Sequence, residues 1–98
     1  MKSTYNIVWS KRASHNLDLI ITYLEQNWTE KEVKKFAQKL ERCIHILEKN
    51  PAAFPETKNR PGLRRVVITK QNTLFYKIEE ECVKLVNIFD TRQNPGKN

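Results

Sequence analysis

Three short apolar runs, separated by two polar gaps too small to hold a crossover, limit what this chain can become more than any other feature does. They lie between Leu63 and Arg92, in LRRVVITKQNTLFYKIEEECVKLVNIFDTR. Val66, Val67 and Ile68 form the first run, Leu74, Phe75, Tyr76 and Ile78 the second, and Val83, Leu85, Val86, Ile88 and Phe89 the third. β-branched, aromatic and aliphatic residues in runs of this length read as strands. Lys70-Gln71-Asn72-Thr73 and Glu79-Glu80-Glu81 read as the connections. A parallel neighbour needs a crossover of about a dozen residues or more, so the strands must be sequential antiparallel partners. The result is a meander with one face to be covered by whatever precedes it.

Upstream, Thr4 to Trp9 alternates, with Tyr5, Ile7 and Trp9 on one side, and predicts a further strand of the same sheet. Ser10 stands where a helix N-cap belongs. Ala13, Leu17, Ile20, Ile21, Leu24 and Trp28 then recur at helical spacing, opposite Lys11, Arg12, His15, Asp18, Glu25 and Gln26, which read as a solvated face. Thr29-Glu30-Lys31-Glu32 is a capping box, and Trp28 and Val33 occupy the two staple positions around it. A second helix therefore starts at Glu30. Its stripe of Val33, Phe36, Ala37, Leu40, Cys43, Ile44 and Leu47 runs to Asn50-Pro51. With almost no linker, the helices must form an antiparallel hairpin whose apolar faces cover the sheet. Trp9, Leu17, Ile20, Leu24, Trp28, Phe36, Leu40 and Leu47 are the expected core. Residues 51–62, with three of the four prolines, predict a loop from which Phe54 tucks inward.

The predicted class is α+β: an N-terminal strand and a helical hairpin packed on a mainly antiparallel sheet, in one domain spanning residues 1–98. Cys43 and Cys82 stand far apart with no C-x-x-C pair, which predicts reduced thiols and neither a disulfide nor a metal site. No cofactor is expected. No apolar run nears the ~20 residues that cross a bilayer, and Met1 to Asn6 lacks a signal-peptide core, so a cytoplasmic protein is expected. Residues 1–57 carry nine basic and seven acidic groups, residues 58–98 nine and four, so the sheet half supplies +5 of the net +7. That field favours an acidic partner or a polyanion.

Several motifs in this order carry a resemblance. They are Trp9-Ser10-x-x-Ala13, Ile21-x-Tyr23-Leu24, Asn50-Pro51, Gly62-Leu63-Arg64-Arg65, Leu74-Phe75-Tyr76-Lys77-Ile78 and Asp90-Thr91-Arg92-Gln93-Asn94-Pro95. Together they span nearly the whole chain, which resembles the RelE/ParE superfamily of bacterial toxins, often labelled plasmid stabilisation proteins. The resemblance implies the toxin of a type II toxin–antitoxin pair, silenced by a cognate antitoxin whose partly disordered tail wraps it. RelE-like members cleave messenger RNA on the ribosome; ParE-like members share the fold and poison DNA gyrase.

Attack by a ribose 2′-hydroxyl needs a base, a cation for the crowded phosphate and an acid for the leaving oxygen. Where RelE-like members tend to carry an Arg before the central strand motif, this chain has Thr73, and no Tyr or His follows Phe89. His15 and His45 fall on the polar helix faces. The resemblance therefore leans to the ParE-like branch, with no catalytic residue assigned. A ribosome-dependent ribonuclease and a non-toxic basic binding module are the alternatives. The candidate target- or antitoxin-binding residues are Arg64, Arg65, Lys70, Lys77 and Arg92. Arg64 and Arg65 must point to opposite faces of their strand. Arg92, at the end of the last strand beside Asp90 in a loop that the sheet positions, is the foremost single candidate, with an Asp90–Arg92 ion pair shaping that turn as the structural alternative. An acidic amphipathic antitoxin segment is expected along the helix hairpin and a sheet edge.

Overall fold

The computed structural model describes residues 4–91; Arg92, and with it both its functional reading and the alternative Asp90–Arg92 pair, lies outside them. Strand β1 (Asn6–Trp9) leads into helices α1 (Lys11–Asn27) and α2 (Glu30–Lys49). A single 3-10 turn (Pro51–Ala53) and a loop then reach β2 (Leu63–Val67), β3 (Asn72–Glu79) and β4 (Cys82–Asp90). The meander pairs as its short connections require: β2 with β3 and β3 with β4, both antiparallel. β1 joins on the far side of β4, parallel to it, so the sheet order is β1-β4-β3-β2. The helical hairpin is the crossover that a parallel placement of β1 demands. It covers one face of the sheet.

Local chemistry explains the helix ends. The Ser10 hydroxyl accepts a bond from the Ala13 amide (3.0 Å) and donates to the Val86 carbonyl (2.8 Å), capping α1 and tying it to β4. The Thr29 hydroxyl accepts from the Glu32 amide (3.2 Å), the first half of the expected capping box. At the hairpin between β3 and β4, Glu79 pairs with Cys82, leaving only Glu80 and Glu81 as the turn. Glu80 takes φ +49°, in the left-handed region.

The core is built from Ala13, Ile20 and Leu24 of α1, Phe36, Leu40, Cys43 and Leu47 of α2, and Val66, Ile68, Leu74, Tyr76, Val83, Leu85 and Ile88 of the sheet. Trp9, Leu17 and Phe54 pack half-buried against it. Trp28 corrects the expected core: it is 44% exposed, because the helix ends at Asn27 and the chain turns outward there. It shares a shallow surface depression with its staple partner Val33. Ala37, counted in the α2 stripe, is also exposed.

A second correction concerns Asn72 and Thr73, which belong to β3 rather than to the preceding turn. Asn72 is fully buried; its amide nitrogen donates to the buried Asp90 carboxylate (2.7 Å), and its side-chain oxygen accepts from the Thr69 hydroxyl (2.6 Å). A polar residue that sequence reading puts in a loop is here a satisfied interior group.

Candidate functional site

Period-two alternation sorts the sheet residues onto two faces. The face away from the helices carries Leu63, Arg65 and Val67 of β2, Thr73, Phe75 and Lys77 of β3, and Lys84 and Phe89 of β4. Register sets these side chains in rows. Leu63, Lys77, Lys84 and Val8 lie side by side across all four strands. The next row holds Arg65, Phe75 and Asn87, and the one after it Val67, Thr73 and Phe89.

Lys77 and Lys84 are thus direct cross-strand neighbours. Like charges in that position destabilise a sheet. Neither they nor Arg65 form an ion pair with any described residue. Around them Val8 is 44% and Val67 61% exposed, with Phe75 half-buried between.

A β-bulge shapes the middle of this face. Phe75 pairs with Asn87 but Tyr76 with Leu85, so Val86 is left over. The bulge is held from α1, where Asn16 donates to the Asn87 side-chain oxygen (2.6 Å) and Ser10 reaches the Val86 carbonyl. Beside it opens a depression of about 500 Å³ lined by Arg12, Arg60, Leu63, Phe75, Val86 and Asn87. Arg12 comes from the first turn of α1 and Arg60 from the loop before β2. Apolar side chains ringed by cations make a surface suited to an acidic, partly apolar partner.

The structure scatters the residues singled out from sequence. Arg65 and Lys77 share the open face. Arg64 turns to the helix side, where it donates to the Phe54 carbonyl (2.5 Å) and lies 3.7 Å from the Glu56 carboxylate; its visible task is to hold the loop. Lys70 lies in the turn between β2 and β3 and lines a separate depression with Lys35 and Lys39 of α2. Sequence reading missed Lys84, Arg12 and Arg60. Lys84 was within reach, since a two-residue turn at Glu80-Glu81 puts it opposite Lys77. Arg12 and Arg60 had no local signal.

The helix side of β3 carries Tyr76, whose hydroxyl donates to the Pro51 carbonyl (2.7 Å). Burial pushes its pKa above 10.0, with the nearby Arg64 guanidinium pulling the other way. Burial likewise pushes the Cys43 thiol up to about 11. Both groups are neutral packing elements at ordinary pH. Among the described residues no cluster of His, Cys, Asp or Glu could hold a metal ion, and no helix is long and apolar enough to cross a membrane.

The model of the ParE toxin of type II toxin–antitoxin systems (parDE) matches residues 7–95. The chain belongs to the ParE toxin family. Toxin ParE1 of Caulobacter vibrioides is 31% identical over 70 residues, covering 70% of this chain and 72% of that protein. The fold recurs in the chromosomal ParDE system from P. aeruginosa, with a TM-score of 0.73 at 14% identity over 88% of this chain and 95% of that one. It recurs also in the E. coli DinJ–YafQ toxin–antitoxin complex, with a TM-score of 0.64 at 15% identity over 94% and 98% of the two chains. Two helices on a four-stranded mixed sheet are therefore the family architecture, and this ParE-family toxin keeps it.

Proposed function

We propose that this ParE-family chain acts in the cytoplasm as a one-domain toxin that inhibits DNA gyrase through its open sheet face and is neutralised by a cognate antitoxin. One observation carries the reading: Arg65, Lys77 and Lys84 converge, without carboxylate partners among the described residues, around Phe75 and the exposed Val8 and Val67. Uncompensated cations beside exposed apolar side chains are a design for docking on an acidic protein surface. The family match to a ParE toxin supports gyrase over the ribosome. Thr73, at the position before the central strand motif, lies on the same face and offers neither a cation nor a group that readily gains or loses a proton.

The test is to purify the toxin free of antitoxin and to compare inhibition of gyrase supercoiling with cleavage of message on programmed ribosomes. Wild type should inhibit gyrase. Lys77→Glu and Lys84→Glu, each at an exposed or half-buried strand position, should weaken inhibition in graded fashion, whereas Thr73→Ala should not. Efficient message cleavage, abolished by one of the charge reversals, would instead assign the same cations to a phosphate backbone and make the chain a ribonuclease.

A further inference from the structure

Helix α2 sorts its charges onto two sides. At 3.6 residues per turn, Lys31, Lys35, Lys39 and Arg42 fall within about 80° of one another and form a ridge of exposed cations along the helix. Glu30, Glu41 and Glu48 fall on the other flank, about 120° or more from the middle of the ridge. Each step along the ridge sets like charges three or four residues apart, a spacing that destabilises a helix. None of these cations has an ion pair with a described residue. A merely solvated helix face gains from interleaved signs, so the segregation does nothing for the fold.

Tertiary structure extends the ridge. The turn between β2 and β3 brings Lys70 against α2, where it shares a depression of about 210 Å³ with Lys35 and Lys39. Glu32 is the acidic residue among those that line it, and it pairs with none of the three lysines. The ridge belongs to the helical layer and so lies on the other side of the sheet from Lys77 and Lys84. The chain thus carries two separate cationic surfaces.

We propose that the α2 ridge, together with Lys70, grips the phosphate backbone of duplex DNA. Successive cations stand about 5–6 Å apart along the helix axis. A duplex carries a negative charge for every ~1.7 Å of its own axis, so each cation finds a phosphate within reach. Single strands are held by stacking their bases on aromatic side chains; Phe36, the aromatic residue at the depression, is buried in the core. The contact is therefore to backbone and reads no sequence. The choice of DNA rests on the gyrase reading above, because gyrase works on duplex DNA and docking it on the open sheet face leaves the ridge free for that DNA.

The experiment measures binding of antitoxin-free toxin to a short fluorescent DNA duplex by anisotropy across a range of salt. Wild type is compared with Lys35→Gln/Lys39→Gln and with Lys11→Gln/Lys58→Gln, which removes the same charge at exposed positions belonging to neither cationic surface. Glutamine is as good a helix former as lysine, and urea midpoints no lower than wild type verify that both variants are folded. Five phosphate contacts give a slope of log affinity against log salt of about −4.5. Lys35→Gln/Lys39→Gln should make it shallower by about 1.8 and weaken binding roughly 10- to 100-fold near 0.1 M salt. Lys11→Gln/Lys58→Gln should stay close to wild type. Equal weakening by the two variants would show attraction by net charge alone and overturn the inference, as would tighter binding of duplex RNA or of a single strand than of duplex DNA. Gyrase supercoiling is assayed with the same proteins. Inhibition by wild type while the two variants bind DNA alike leaves the gyrase reading standing and removes only this inference; binding through the ridge by a toxin that leaves gyrase active does the reverse.

Discussion

Tyr76→Phe isolates the contact that locks the helical layer to the sheet. Tyr76 is fully buried, and its hydroxyl donates at 2.7 Å to the carbonyl of Pro51, the residue at which α2 gives way to the 3-10 turn. The substitution removes one oxygen and leaves ring packing intact, so the cavity term is small and the hydrogen bond dominates. A buried acceptor deprived of its donor costs about 1–3 kcal/mol. For a chain of this size that is a fall in Tm of very roughly 4–8 °C per kcal/mol. Urea unfolding at pH 7 should show the loss as a lower midpoint with an unchanged slope.

The pH dependence gives a second, independent readout. Burial raises the Tyr76 pKa in the folded state above its ordinary 10.0, so the folded protein holds that proton longer than the unfolded chain does. The associated stability is fully present below pH 10 and is lost as pH rises through the folded value. Phenylalanine cannot ionise, so the variant should be less stable at pH 7 yet lose less on going to higher pH. The alkaline limb due to Cys43, whose thiol is pushed from 9.0 to about 11, should survive in both proteins. A loss under about 0.5 kcal/mol with superimposable alkaline limbs would refute the reasoning, since a satisfied buried hydrogen bond is worth more than that.

Leu40 is 8% exposed in the centre of the α2 face, and Leu40→Ala should cost about 2–5 kcal/mol by chemical denaturation; a cost well under one would mean that this face is not the packed one. Glu80 holds φ +49° in a two-residue turn flanked by Glu79 and Glu81, so Glu80→Gly should raise stability by up to about 1 kcal/mol, and a lower Tm would contradict the strain argument. Both thiols are free, but Cys43 is buried and its thiolate is disfavoured, whereas Cys82 is half-buried; a thiol reagent at pH 8 should therefore modify Cys82 first and reach Cys43 only on unfolding. Equal rates in the native protein would show that the core opens far more readily than its packing implies.

What the sequence determined by itself was local. Ser10 and Thr29 announce both helix starts, because a cap is an interaction within three residues. The stripe from Phe36 to Leu47 marks the buried side of α2, because helical period is a property of the backbone. The meander follows from connections too short for any crossover. The local signal fails at Trp28, an apolar residue in phase with the stripe but one position past the last helical turn.

Only the tertiary structure decided what depends on contacts distant in the chain. The parallel placement of β1 against β4 joins residues about 76 positions apart, and no local preference specifies it. Asn72 and Asp90 become interior groups because each satisfies the other across two strands. Arg12 from α1 and Arg60 from a loop meet at the bulge on the open face only once β3 and β4 are in register. Arg64 and Arg65, adjacent and chemically identical, part company for the same reason: alternation sends one to the Phe54 carbonyl and the other to open solvent, and which face is covered is settled by where the helices pack.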